Sequence, residues 1–430
     1  MTQVEQWPVD TRRIHWAWLV AGAAFVTLIG AAGFRAVPSV LIDPLHEEFG
    51  WSHATISSAV SVNLVLFGVI SPFAAALMDR LGMRRVVAGA LVLVAAGSGL
   101  TVFMTASWQL LLCWGVLVGV GTGSMSMAFV ATVTGRWFVR HRGLVSGILT
   151  AAGATGQLVF LPLVAALATD HGWRTPAAVV AIAALAVVPL VLALLRDYPS
   201  DVGTTAYGAT PDSATADGPV TGSSATRAVR ALTSAARTRT FWLLAGGFAI
   251  CGMSTNGLVG THFVTAAHDH GMPHTTAASL LAVIGIFDVA GTIFSGWLTD
   301  RVDPRLLLGA YYTLRGVSLM ILPSLFAPDT EPSMWVFIIF YGLDWIATVP
   351  PTVALCRNRF GVSGPVVFGW VFASHQVGAA IAAVGAGAIR DTQGSYDLAW
   401  FMAGGLCVVA AALSLAVRPI REPQHPETRS

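Results

Sequence analysis

Four ionisable side chains stand near the middle of long apolar runs: Asp288 in IGIFDVAGT, Arg315 in TLRGVS, Asp344 in YGLDWIATVPP and His375 in FASHQVGAA. At about 1.5 Å per helical residue they share one depth. An ionisable group in the middle of a membrane-crossing helix costs about 2.5–3.5 kcal/mol, so such groups pair, line a water-filled cavity, or both. An arginine grips a carboxylate through two parallel hydrogen bonds and stays charged at every relevant pH. Arg315, with Arg35 near the outer end of the first run, is therefore the candidate to bind an organic anion. A carboxylate moved between dry and wet surroundings takes up and releases a proton; Asp288 is the first candidate for that role and Asp344 the second. His375 either titrates near neutral pH or hydrogen-bonds within the core. A fixed pairing of Asp288 or Asp344 with Arg315 would instead hold helices together. Asn63, Gln157, Asn256 and His262 are further polar residues in apolar runs, suited to bridging helices or to touching a substrate.

The elements that must position these groups follow from composition. Of 430 residues, 55% are hydrophobic and 11% charged, with a mean hydropathy of +0.70, far more apolar than a soluble domain. A bilayer core about 30 Å thick is spanned by roughly 20 apolar residues in a helix. Twelve segments qualify: 15–37, 53–78, 85–106, 109–134, 143–168 and 175–196, then 240–266, 274–298, 306–326, 333–356, 364–388 and 396–417. The first is too long for a signal peptide and is kept as a span. The expected fold is an all-α polytopic membrane protein with twelve transmembrane helices in two six-helix bundles, 1–197 and 240–417. A cytoplasmic linker (198–239) joins them and a cytoplasmic tail (418–430) follows.

The first part of the linker is rich in Gly, Ser, Thr, Pro and Asp and too poor in apolar residues to fold. Its end, TRAVRALTSAARTR, reads either as a short helix on the membrane surface or as a basic tail of the linker. All 24 basic residues are arginine, a usage that fits a GC-rich bacterial genome. Twenty of them fall on one side of the expected spans and two, Arg174 and Arg390, on the other. Retention of positive charge then places both termini in the cytoplasm of a multi-pass protein of the cell membrane. Cys113, Cys251, Cys356 and Cys407 occur singly in apolar runs, without pairing or metal-ligand spacing. The histidines of HDHGMPH lie outside the membrane at irregular spacing and do not suggest a metal site. With no phosphate-binding loop, catalytic triad or zinc spacing, neither an enzyme nor an ATP-driven pump is expected, nor a cofactor, metal or nucleic-acid partner.

Two loops repeat a signal at equivalent places in the halves: AALMDRLGMRR (75–85) after the second segment and GWLTDRVDPR (296–305) after the eighth. Asp79, Arg80, Gly82 and Arg84, and later Asp300 and Arg301, could form charge networks that hold neighbouring helix ends in one of two arrangements. These residues resemble the loop motif of the major facilitator superfamily, and the resemblance covers nearly the whole chain. Ala75 replaces its first glycine, while Asp303 and Pro304 replace the glycine and basic residue of the second copy. The resemblance implies two bundles that rock about a central site opening alternately to each side.

RWFVRHRGLVSGILTAAGATG (136–156) looks like the fifth-helix signature of the monocarboxylate transporter family, through Trp137, Phe138, Arg140, Arg142, Gly147 and Gly156. Trp137 stands where that family more often has tyrosine or phenylalanine, and Gly153 lies one place after the glycine expected at Ala152. HWAW (15–18) resembles the tryptophan-bearing end of the family's other signature, without its acidic residue and glycines. Gly147, Ala151 and Gly156 also have the spacing of small residues that let membrane helices approach closely. In that family the eighth helix carries an aspartate followed one turn later by an arginine. Asp288 matches the first, but Thr292 occupies the second. The anion's arginine is then Arg315 or Arg35, or the substrate is not a simple monocarboxylate.

The resemblance implies a monomeric secondary transporter of a small organic anion, with a carboxylate expected, working by proton symport or by antiport against another anion. A proton-driven exporter of a hydrophobic natural product or drug is the alternative, although GQLVFLPLVAAL lacks the Gly-Pro-x-x-Gly-Gly element of such exporters. A receptor that binds without transporting is a third class.

Overall fold

In hydrocarbon a single apolar segment can satisfy its backbone N–H and C=O groups only as a helix. The computed structural model describes residues 15–209, 224–299 and 301–418, and these are organised as helices throughout. The first half comprises α1 (Trp16–Ala36), α2 (Pro38–Phe49), α3 (His53–Leu81) and α4 (Met83–Thr101). Then α5 (Ser107–Leu110), a π-helical stretch Leu111–Val118, α6 (Gly119–Ser124) and α7 (Met127–Trp137) form one interrupted segment. It ends with α8 (Arg142–His171) and α9 (Arg174–Leu194). A short α10 (Ser224–Ala235) precedes the second half. There α11 (Arg239–Gly252), a π-helical stretch Met253–Val259 and α12 (Gly260–Asp269) run together. They are followed by α13 (His274–Thr299), α14 (Pro304–Ile321), α15 (Pro332–Asp344), α16 (Val349–Phe360), α17 (Gly364–Gln393) and α18 (Asp397–Leu415). Among the described residues, eleven segments are long and apolar enough to cross a membrane, and α8, at 30 residues, is a further helix of membrane length. Phe103, Ile182, Ile293 and Val336 are among the most exposed large apolar side chains, a surface suited to lipid and not to water. The protein is a multi-pass membrane protein of the all-α class.

The bundle has two chemically distinct ends, one rich in arginine and one bearing histidines. Along the bundle α3 packs against α17, and α8 against α13. Ser61 Oγ donates to the Ala380 carbonyl at 2.6 Å. Further along, Phe67 meets Phe372 and Phe73 meets Trp370, edge to face.

Two local features differ from the sequence expectation. The stretch after the first span, expected as a loop, is helical: Pro38 starts α2, and Gly50 closes it in the left-handed conformation (φ 67°), where glycine carries no Cβ penalty. At this end Arg174 binds both oxygens of Glu48, at 2.6 and 2.9 Å. The Arg174 hydrogen bond, partly opposed by desolvation and aided by the Trp173 N–H, holds the Glu48 carboxyl below the usual range. The start of the linker is also ordered. Tyr207 pairs backbone with Trp137, Val139 and Arg140, and its ring packs among Trp18, Phe138, His15 and His141. One aromatic residue finds a cluster that composition alone does not reveal.

Candidate functional site

The tenth span is where the chain departs from regular helix. Between α15 and α16, residues 345–348 form turns, and the sequence explains why. Pro350 and Pro351 follow, and proline has no N–H for the carbonyl four residues back. Ile346 and Ala347 therefore lose their helical donors. The Ile346 carbonyl accepts from the Val349 N–H at 2.8 Å instead, and the Ala347 carbonyl from Ser295 Oγ at 2.5 Å. A backbone break at membrane depth persists only where the freed groups find partners within the protein.

Other backbone groups of the same break are served by the charged residues singled out in the sequence. Arg315 on α14 directs Nη2 at the carbonyls of Asp344 (2.5 Å) and Trp345 (3.3 Å). Its Nε donates to Asp344 Oδ2 at 2.5 Å, and its Nη1 to Cys251 Sγ at 2.9 Å. The Ile346 N–H donates to Asp288 Oδ1 on α13 at 3.0 Å, and the same oxygen accepts from Thr292 Oγ1 at 3.1 Å. Thr292, at the position where the monocarboxylate signature has arginine, is thus a hydrogen-bond donor to Asp288. Gly291 makes the approach feasible: a Cβ there would overlap the Leu343 carbonyl. Asp344, and not Asp288, is the acid paired with Arg315.

The pair is tightly enclosed. Arg315 is completely buried, and its donors engage a carboxylate, two carbonyls and a thiol. Asp344 Oδ1, by contrast, has no hydrogen-bond partner. Tyr312 and Tyr341 are also buried, with the Tyr341 hydroxyl donating to the Ser254 carbonyl at 2.9 Å. Cys251 and Ser254 adjoin or lie in the π-helical stretch of the seventh span, a distortion frequent at functional sites. Sequence reasoning missed the roles of Cys251, Ser295 and the tyrosines because hydroxyls and thiols at membrane depth are common. The Val-Pro-Pro of 349–351 was the visible signal of the break.

His375 on α17 reaches this network from the side. Its Nε2 lies 3.5 Å from Thr255 Oγ1, its Nδ1 has no partner, and its ring packs against Phe248 and Phe372. The remaining candidates are more dispersed. Asn63 Nδ2 donates to the Trp114 carbonyl at 2.9 Å and ties α3 to the fourth segment. His262 donates from Nε2 to the Ala383 carbonyl (2.8 Å) and accepts at Nδ1 from Tyr396 (3.2 Å). Asn256 is half-buried in the π-helical stretch. Arg35 lies on α1 and Gln157 on α8, and both side chains fall outside the described residues.

At the arginine-rich end, Asp79 binds Arg136 at 2.6 Å. Gly82 turns the chain at φ 89° against the Asp197 carboxylate, which accepts from the Arg84 backbone N–H at 2.9 Å. Arg80 is exposed. In the second copy Asp300 lies outside the described residues, while Arg301 stacks on Trp297, 4.2 Å from the ring centre. Asp303, in place of glycine, caps α14 and binds Arg305 at 2.6 Å; the Arg305 hydrogen bond holds its carboxyl below the usual range. In the 136–156 signature, Trp137 and Phe138 are completely buried, Arg140 is exposed, and the Arg142 side chain is outside the described residues. A Cβ on Gly156 would strike Ala32 and the Ile29 carbonyl, so Gly156 seats α8 on α1, whereas Gly147 has open space around it.

Comparison with known proteins agrees with this architecture. The family model of the Major Facilitator Superfamily matches residues 23–364. The MFS-type transporter YcxA of Bacillus subtilis (strain 168) is 25% identical over 410 residues, covering 93% of this chain and 94% of that protein. Monocarboxylate transporter 13 of Rattus norvegicus is 28% identical over 410 residues, covering 94% and 89%. Among solved structures, a bacterial homologue of the human lysosomal transporter Spinster, inward-facing and occupied, superposes with a TM-score of 0.71 at 15% identity, covering 94% of this chain and 97% of that one. A D-xylose-proton symporter gives 0.69 at 14%, covering 94% and 98%. These two show the fold alone. With a matching family model over most of its length, the chain belongs to the major facilitator superfamily, whose members are transporters and not enzymes.

Proposed function

We propose that the protein carries a small organic anion, of carboxylate chemistry, together with a proton. The observation that supports this reading is the buried Arg315–Asp344 pair with one carboxylate oxygen unpartnered, set beside a second acid that holds a broken helix by its backbone. A carboxylate that reaches this layer competes with Asp344 for the guanidinium, with which it can form two parallel hydrogen bonds. A proton that arrives with it neutralises an acid, so one anion and one proton leave the net charge of the layer unchanged. Asp288 is the proton carrier in this scheme. When ionised it accepts from Ile346 and Thr292; when protonated it is a weaker acceptor, and the tenth span is released at its break. Alternating access then follows from the two halves rocking as the break tightens and loosens, with the arginine-rich end in the cytoplasm.

The relatives named monocarboxylate transporters support the substrate class. Uptake of labelled carboxylates into proteoliposomes under an imposed pH gradient tests it. Concentrative uptake of at least one supports the reading. No transport across a broad carboxylate panel, with raised resistance to apolar compounds on expression, would replace it by export of a hydrophobic compound.

A further inference from the structure

One element of the arginine-rich end lies outside the central site and belongs to neither bundle alone. The segment 224–239, which holds α10 and the turn into α11, carries four arginines and no acidic residue. One face of α10 is committed to the protein: Ala228 and Ala235 are buried, and Ala231 and Leu232 pack against the core. The helix touches α3 of the first half and α17 of the second. Trp370 Nε1 on α17 donates to the Ala228 carbonyl at 2.9 Å, and the same indole meets Phe73 of α3 edge to face. Thr226, Val229, Arg230 and Thr233 are exposed, at spacings that line the opposite face of the helix. Arg237, in the turn that follows, and Arg239, at the start of α11, are exposed with them.

The place of this basic face relative to the bilayer follows from what α10 is joined to. Residues 236–238 alone separate it from α11, which opens the seventh span. Thr238 Oγ1 donates to the Ala235 carbonyl at 2.7 Å and accepts from the Phe241 N–H at 3.3 Å, so the turn is fixed from both sides. Trp242, in the first turn of α11, donates from Nε1 to the Ala236 carbonyl at 2.8 Å, and its ring is 63% exposed. An exposed indole at the end of a membrane span suits the boundary between headgroups and acyl chains, and this one holds the end of α10 at that level. Acids of the same end are engaged elsewhere: Asp79 by Arg136, Asp303 by Arg305, Asp197 by the Arg84 backbone N–H and Asp201 by that of Tyr198. No ion pair among the described residues includes Arg230, Arg237 or Arg239.

We propose that the outer face of α10 docks anionic phospholipid of the adjoining leaflet, with Arg230, Arg237 and Arg239 taking the headgroup phosphates. A guanidinium matches a phosphate through a planar fork of donors. Val229 and the Trp242 ring, both exposed, offer apolar surface beside those donors. Because the inner face of the same helix rests on α3 and α17, the docked lipid adjoins the seam between the two halves.

The test needs no substrate, so it stands or fails apart from the carboxylate reading. The four native cysteines are buried, which leaves Thr233→Cys, on the exposed face, as a selective site for a fluorophore. In nanodiscs holding one copy of the protein, its quenching by brominated phosphatidylglycerol is compared with that by brominated phosphatidylcholine at equal mole fraction. A second sample labelled at Val336→Cys, an exposed apolar position on α15, gives the background preference. At Thr233→Cys the anionic lipid is expected to be favoured over that background by at least about fivefold, the factor one arginine contributes near an anionic surface, and less so as salt is raised. Arg230→Gln/Arg237→Gln/Arg239→Gln replaces exposed side chains only, and is expected to bring the preference down to the background. Equal quenching by the two lipids in the parent, or a preference that survives the triple variant, overturns the proposal. A label that neither lipid quenches places this face away from the bilayer and overturns it as well.

Discussion

Arg315→Gln is the perturbation that most sharply probes how the tenth span is held together. The completely buried guanidinium supplies the counter-charge of Asp344 and donors for the Asp344 and Trp345 carbonyls. Removing one partner of a buried pair costs about 3–5 kcal/mol because a charge is left uncompensated, and each carbonyl stripped of its donor adds about 1–3 kcal/mol. Glutamine can serve one acceptor, so a loss of at least about 3 kcal/mol is expected. The double variant Arg315→Gln/Asp344→Asn removes the stranded charge and should recover most of that part, leaving a loss of about 1–3 kcal/mol from the carbonyls. Unfolding in mixed micelles by titration with a denaturing detergent, followed by tryptophan fluorescence, gives the four corners of the cycle. If Arg315→Gln lies within about 1 kcal/mol of the parent, the range of an ordinary substitution, or if the double variant is no more stable than either single one, the clamp described here is wrong.

Gly291→Ala should separate α13 from the break, because its Cβ overlaps the Leu343 carbonyl; a loss of about 1–3 kcal/mol in the same titration is expected, together with impaired transport. Glu48→Gln tests the Glu48–Arg174 pair. Its lowered folded pKa means the stabilisation is present above the ordinary glutamate pKa and is lost as pH falls through the folded value. The pair is partly exposed, so the difference from the parent should be no more than about 1 kcal/mol at pH 7 and should vanish on acidification through the folded glutamate pKa, read by thermal unfolding.

Much of the fold is visible in the sequence because hydrocarbon imposes one length and one secondary structure on each span. The boundaries at His53, His274 and Gly364 follow the apolar runs closely. The α2 extension was hidden because DPLHEEFGW reads as polar loop, while its helical form rests on Pro38 at one end and Gly50 at the other. Within the site, Asp288, Arg315 and Asp344 were conspicuous as charges in apolar runs. Their pairing was not, because several combinations are open at one depth and only packing selects among them. The break at 345–348 decides it, since Arg315 serves the Asp344 and Trp345 carbonyls beside the Asp344 carboxylate, while the Ile346 N–H takes Asp288. Ser295 and Thr292 became meaningful only once that backbone accounting was possible.

The central claim is that Asp288 carries the transported proton while the anion meets Arg315. It is tested most directly by comparing two transport modes in one set of proteoliposomes, carboxylate counterflow at equal pH and accumulation driven by an imposed pH gradient. The account predicts that Asp288→Asn retains counterflow and loses accumulation, whereas the parent protein shows both. Accumulation undiminished in Asp288→Asn would contradict it.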